Sequence, residues 1–408
     1  MVRIRVRHFG PIGEGCRDND GWIEVKKVTV FIGNQGSGKS TIAKLISLFS
    51  WLEKDLFRSQ GSTARYRKQN RAFVNLLKFH RIENYLNDDT EILYKGAAYN
   101  ISYRSGENLD IAVNSESEYV LPKITYYPAE RNFLSSLKSY RGDLSLRLGS
   151  ASLSEFKDIF QEAKKGLRGK GSLQLPLHDV ALEYDSLNDV LFLKGKDYRI
   201  QISEASSGFQ SYSPVHIVAE YVSSLIKDKQ DLSERQREEF GRLSADIIED
   251  DSYTEDQKRI LLSKLAKRFS YGRAINIIEE PEQNLYPSSQ KNIIYHLLEL
   301  NNGCPGNVMV LTTHSPYVIG YLTIAIKSNS LFNRANSSAH ISDLSVYCPQ
   351  SAAVALNDVV VYQFRDDGSV SKLDSSDGVL SDSDFLNEES EQINMYYGKL
   401  IDIEDELV

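Results

Sequence analysis

Short apolar runs that stop on glycines or acids punctuate this chain. Residues 28–32, VTVFI, run almost unbroken into a glycine-rich turn, the pattern of a strand covered on both faces. Beyond the turn, Ile42, Leu45, Ile46, Phe49 and Leu52 recur at helical spacing and predict an amphipathic helix. The opening MVRIRVRHFG alternates basic and apolar residues, as an antiparallel strand does. Residues 53–90 continue as helix, and 91–127 change to strand-like alternation in YNISYR and KITYY. Helical spacing returns over 151–168, and 180–202 predicts two strands, VALEYD and VLFLKG. Residues 231–268 read as a charged helical hairpin, with capping boxes at Ser233 with Gln236 and at Thr254 with Gln257. AINIIEE and NVMVLTTH predict two more buried strands, and no internal repeat is visible.

Composition narrows the class. A chain of 408 residues builds one or two domains with a large core. No window approaches the roughly 20 uninterrupted apolar residues of a membrane helix. The N-terminus lacks the apolar core of a signal peptide, so a cytoplasmic protein without a membrane partner is expected. Cys16, Cys304 and Cys348 are few, scattered and odd in number, which suits a reducing compartment and gives no zinc pattern. His8, His80, His178, His216, His296 and His340 show no ligand spacing, so no metal beyond Mg²⁺ is expected. A net charge of −8 argues against a protein that coats nucleic acid over its whole surface. A local basic groove stays open, with Arg58, Arg65, Arg67, Lys68 and Arg71 around Tyr66 as its candidate, although the run reads first as a solvated helical face.

Four segments carry the chemistry. Gly33, Gly38, Lys39 and Ser40 fit G-x-x-x-x-G-K-[ST] between a strand and a helix. Glycines let the backbone wrap a phosphate, and the amides at the helix start turn partial positive charge toward it. Asn34, Gly36, Gly38, Lys39, Ser40 and Thr41 are therefore the expected ATP-binding residues, with Lys39 on the β/γ oxygens and the Ser40 hydroxyl on Mg²⁺. In INIIEEPEQNLYP an apolar run ends on Glu279 and Glu280 at what would be the carboxyl edge of a parallel sheet. Glu279 is expected to support Mg²⁺ and Glu280 to orient the attacking water. VMVLTTHSP delivers His314 to the same edge, where it would meet the γ-phosphate as a catalytic residue. SSGFQS places Ser207, Gly208 and Gln210 at a second helix start that can face phosphate.

The order of these segments resembles the ABC-type ATPase heads of the SMC, RecF and OLD group, and EEPEQNLYP is similar to that group's extended Walker B. YYPAERNFLS, residues 126–135, is similar to the ATPase subunits of the Septu and PARIS anti-phage systems. The resemblance covers residues 1–48 and 200–320 well and the middle only loosely. It implies an α/β P-loop head, a mixed sheet with flanking helices, formed by residues 1–52 and 200–370. An α+β insert over 53–199, a helical hairpin over 228–270 and an acidic segment over 371–408 complete the expected division. It also implies that heads pair, with Ser207, Gly208 and Gln210 of one copy closing on the nucleotide held by the other; Phe209 stands where the signature has its second glycine. Arg131 is read as lying near the nucleotide, and no Q-loop glutamine is identified.

The function expected on this basis is an ATP-hydrolysing switch of an anti-phage system that controls a separate nuclease or toxin. A RecF-like repair ATPase acting directly on DNA is the alternative. Asp382 and Asp384 form D-x-D, but no upstream glutamate or Toprim-sized segment accompanies them, so the acidic segment is read as a tail.

Overall fold

The longest apolar runs assemble into one parallel sheet, because strands buried on both faces need partners and helices on each side. The computed structural model describes residues 2–59, 66, 70–114, 119–136, 150–169, 171–177, 179–228, 234–250, 252–376, 379–380, 395–396 and 399–400. Its central strands are β1 (Val28–Gly33), β2 (Pro122–Tyr127), β3 (Arg273–Glu279), β4 (Val308–Thr313), β5 (Val359–Phe364) and β6 (Ser369–Lys372). The sheet order is Gly15–Cys16, β6, β5, β1, β4, β3, β2. The five strands from β5 to β2 run parallel, and β6 adds an antiparallel neighbour to β5.

Alternate residues of β1 feed two cores. Val28, Val30 and Ile32 pack with α2 (Ser207–Asp228), α3 (Pro287–Asn302) and α4 (Pro316–Phe332) on one face. Phe31 faces the other side with Ile42, Leu45, Ile46, Phe49 and Leu52 of α1 (Lys39–Arg58), all buried as their spacing requires. Ile217, Val218 and Val222 of α2 are likewise buried.

Two antiparallel sheets flank this layer. One joins Ile23–Val25, Val2–Arg7, Glu91–Lys95, Tyr99–Arg104 and Asp110–Val113; the other joins Arg199–Gln201, Val190–Lys194, Ala181–Asp185 and Ser172–Gln174. Strand pairing ignores the linear division expected between residues 52 and 53. Val2–Arg7 pairs with Glu91–Lys95, and β2, within the expected insert, completes the central sheet beside β3 with Ile124 opposite Ile275. KITYY alternates like its antiparallel neighbours, and nothing local reveals that its partner lies some 150 residues later.

The helices Glu234–Glu249 and Glu255–Phe269 pack on each other, and Thr254 with Gln257 forms the expected capping box. The box at Ser233 lies outside the described residues. Arg58 is turned inward: its Nε donates to Arg268 O at 3.2 Å and its guanidinium lies over Phe269 and Tyr271. Tyr66 donates its hydroxyl to Asp55 at 2.6 Å. Arg65, Arg67 and Lys68, the Arg71 side chain, Asp382 and Asp384, and most of 371–408 fall outside the described residues. No described helix is long and apolar enough to cross a membrane.

Candidate functional site

Three parallel strands end side by side and bring the separate segments to one edge. β1 ends at Gly33, β3 at Glu279 and β4 at Thr313, with Thr312 opposite Glu279 and Thr313 opposite Ile32.

The turn after β1 needs its glycines. Gly33 has φ 142°, and a Cβ there would stand 2.3 Å from Phe364 O. Gly38 has φ 103°, and its Cβ would meet Ile12 at 2.4 Å. Asn34 to Gly36 are exposed at the tip, with Gly36 at φ 77° and nothing within reach of a Cβ. The Asn34 carbonyl accepts from Ser37 Oγ at 2.8 Å and from Lys39 Nζ at 2.6 Å, and Lys39 Nζ also donates to Gly33 O at 2.8 Å. Lys39 is buried and begins α1, followed by half-buried Ser40 and buried Thr41. Burial lowers the Lys39 ammonium to about 8, against the pull of the Glu280 and Glu282 charges. A cation so poorly hydrated gains much from an added anion.

The paired acids have separate environments. Glu279 is buried; Oε1 accepts the Tyr126 hydroxyl at 2.6 Å and Oε2 the Ala129 amide at 3.0 Å. Each carboxylate oxygen retains a lone pair. Glu280 follows with φ 42°, a left-handed backbone that costs a non-glycine residue of order 1 kcal/mol or more. This turn points its carboxylate to His314, whose Nε2 lies 3.4 Å from Glu280 Oε1. Hydrogen bonding from His314, with Arg131 and Lys39 nearby, holds the Glu280 carboxyl below its ordinary range, so it is ionised at neutral pH.

Arg131 is completely buried beneath the acids. It donates through Nη1 to Pro128 O at 3.0 Å and Glu279 O at 2.5 Å, and through Nη2 to Glu280 O at 2.6 Å. Its place is under the turn, so it holds main chain. Glu282 is the residue that sequence reasoning missed. Its Oε1 accepts Thr313 Oγ1 at 2.7 Å and the His314 amide at 2.8 Å, while Oε2 is enclosed without a partner. Burial raises its carboxyl above the ordinary value. A third acid within four residues was the available signal.

Ser207 and Gly208 lie at the start of α2, Ser207 exposed and Gly208 buried. A Cβ on Gly208 would come 2.9 Å from Asn284 O, so glycine lets α2 approach the turn after the acids; Ser211 Oγ also donates to Gln283 at 3.0 Å. Gln210 turns its side-chain nitrogen toward its own chain. Its amide nitrogen donates back to Ser203 O at 3.1 Å and Ala205 O at 2.7 Å, tying down the loop before the helix.

The donors at the edge, the Ser40 hydroxyl and the Glu279 and Glu280 carboxylates, are all oxygen, the set a hard Mg²⁺ ion prefers. The wrapped turn, buried lysine, ionised carboxylate and histidine stand together at one edge, an arrangement whose amides and ammonium can accept a phosphate chain.

The family model described as "AAA domain, putative AbiEii toxin, Type IV TA system" matches residues 28–320. No curated protein matches the chain. It is similar to the SMC head domain from Thermotoga maritima, at 11% identity over 92% of this chain and 98% of that one, TM-score 0.37. It is also similar to the Smc head domain with an extended coiled coil bound to the C-terminal domain of ScpA derived from Pyrococcus furiosus, at 11% identity over 97% and 100%, TM-score 0.37. A nucleotide-free ATP-binding cassette from an ABC transporter matches at 12% identity over 93% of each chain, TM-score 0.32.

Proposed function

This chain belongs to that AAA-domain family, and on that premise we propose that it is a nucleotide-binding ATPase of the ABC and SMC type, acting as an ATP-dependent switch that pairs with a second copy of itself. Lys39 and the amides from Asn34 to Ser40 bind the phosphates, with Thr41 beside them. Ser40 and Glu279 would hold Mg²⁺, which would supply positive charge against the phosphate oxygens. Glu280 takes a proton from water, and His314 orients the carboxylate and contacts the γ-phosphate. Ser207 and Gly208 of the second copy close over that phosphate, and Gln210 shapes their loop from within.

The observation that carries this reading is the Glu280 carboxylate, ionised and held 3.4 Å from His314 on the edge shared with Lys39. A head pair bridged by ATP loosens when the γ-phosphate leaves, so cleavage favours opening. Converting such a switch from mostly open to mostly closed takes about 5.5 kcal/mol of differential binding. Several charge-assisted hydrogen bonds supply that order of energy. The family's description names a type IV toxin–antitoxin system, and the output we assign to the switch is control of a separate toxin or nuclease.

The test is light scattering on the purified chain with ATP, ADP and no nucleotide. Glu280→Gln should bind ATP and accumulate as a dimer, whereas Lys39→Ala should remain in its nucleotide-free state. A Glu280→Gln protein that hydrolyses ATP at the wild-type rate removes the assigned base, and one that binds ATP without changing its assembly removes the switch.

A further inference from the structure

Away from the nucleotide edge, side chains of two helices distant in the sequence meet. His216 and Glu220 lie one turn apart on α2, and His296 projects from α3. One nitrogen or oxygen from each lies within 4.8 Å of the other two. His296 Nε2 stands 3.2 Å from Glu220 Oε1, and the two imidazole rings are 4.8 Å apart.

The protonation of His216 is fixed by its surroundings. Its Nε2 lies 2.9 Å from Gln174 O, and a carbonyl only accepts, so Nε2 carries the hydrogen. The other nitrogen, Nδ1, is buried with no hydrogen-bond partner. With the hydrogen on Nε2, Nδ1 of the neutral ring presents a bare lone pair toward the cluster.

We propose that His216, Glu220 and His296 form a site for a borderline divalent metal ion of the zinc class, which pins the helix bearing Ser207 to the helix that follows the paired acids. Two imidazoles and a carboxylate suit Zn²⁺ and select against Mg²⁺, which takes oxygen donors. Tetrahedral bonds of about 2.0–2.1 Å put ligand atoms roughly 3.3 Å apart, close to the His296–Glu220 separation. The remaining separations need to close by no more than about 1.5 Å, within the reach of small side-chain rotations. The Nε2–H to Gln174 bond is the outer-shell hydrogen bond that orients a ligating histidine and fixes its tautomer. Glu220 is about one-third exposed, which provides an entry path and room for water as a fourth ligand.

Position gives the site a consequence. Gly208, two turns before His216, packs on Asn284 O, and α3 begins at Pro287. A metal joining α2 to α3 therefore restrains the spacing of Ser207 from the Glu279–Glu280 turn.

The test uses the full chain, stripped with chelator and titrated with Co²⁺ alone. The expected result is one equivalent per chain, with the visible bands of a low-coordinate nitrogen and oxygen site, bleached by Zn²⁺ and insensitive to excess Mg²⁺. His296→Gln and Glu220→Gln, at partly exposed positions, should each weaken Co²⁺ binding about tenfold or more. Lys39→Ala should bind Co²⁺ as the wild type does, which separates this site from the nucleotide site. Absence of both cobalt bands and bound zinc in the folded wild-type chain would overturn the proposal. So would unchanged affinity in both His296→Gln and Glu220→Gln.

Discussion

Glu282 Oε1 accepts the backbone amide of His314 at 2.8 Å, so the segment after one central strand holds the end of the next. The same oxygen accepts Thr313 Oγ1, and the His314 ring is thereby presented to Glu280. Only Pro281 separates Glu280 from Glu282 along the chain, yet one faces the histidine ring and the other accepts from the His314 amide.

Glu282→Ala should therefore damage turnover more than nucleotide affinity. It removes the acceptor of a buried amide and hydroxyl, costing about 1–3 kcal/mol of stability, and frees the His314 turn. Steady-state hydrolysis should show kcat down by about tenfold or more with KM for ATP nearly unchanged. Glu282→Gln keeps the accepting oxygen and should recover much of the loss. A fall in ATP affinity with unchanged kcat would place Glu282 on the substrate instead.

A second prediction concerns the hydroxyl under Glu279. Burial and the adjacent Glu279 charge keep the Tyr126 phenol protonated, so it donates at 2.6 Å. Tyr126→Phe preserves the ring and strands Glu279 Oε1. Chemical denaturation should show a loss of about 1–3 kcal/mol. Hydrolysis should require more Mg²⁺ for half-maximal rate, because Glu279 is no longer held in place. An unchanged Mg²⁺ dependence would mean that Glu279 serves the fold alone.

The placement of the edge segments was legible in the sequence because it is local. The phosphate turn, the paired acids and His314 each sit at the end of an apolar run, and a parallel sheet aligns such ends. The partners of these residues were not legible. Tyr126 meets Glu279, and Arg131 meets the Glu279 and Glu280 carbonyls, only because β2 docks beside β3. That register depends on matching apolar faces far apart in the chain. The His216–His296 cluster was hidden for a related reason: helix packing brings one residue from α2 to another from α3, and no sequence spacing encodes the crossing. Gln210 was expected from its motif to face nucleotide, and nothing in that motif showed that its side-chain nitrogen would donate to the Ser203 and Ala205 carbonyls of its own loop.

His80 provides a pH test of the core behind β2. Its ring packs edge-on to Tyr126, its Nδ1 has no partner, and burial, then Lys44, lowers the imidazole to about 3 from 6.5. The unfolded chain then binds a proton that the folded chain refuses between pH 6.5 and about 3. Stability from this residue is intact above pH 6.5 and declines as pH falls through that window, by up to about 1.4 kcal/mol per pH unit. His80→Phe removes the titrating group, so the difference in unfolding free energy between variant and wild type should shift in the variant's favour as pH drops from 6.5 to about 4. A pH-independent difference would mean that His80 is protonated in the folded protein.

Arg131 is the case in which charge and shape separate most clearly. Burial lowers its guanidinium to about 10, still cationic at neutral pH, and its fork reaches three carbonyls at once. Two of those carbonyls belong to Glu279 and to Glu280, whose φ of 42° needs support from outside the strand. Lysine keeps the charge but offers a point donor on a flexible stem, so it cannot bridge the same set in one plane. Arg131→Lys should leave ATP binding within a few-fold of wild type, since the phosphate turn is untouched, and should lower kcat by about tenfold or more as Glu280 leaves its position beside His314. The pH profile distinguishes displacement from simple instability. Once Glu280 and His314 part, the acidic limb of kcat should move upward in pH, because the hydrogen bond from His314 is the first cause of the lowered Glu280 carboxyl. A variant with reduced kcat and an unmoved acidic limb would assign Arg131 to folding alone.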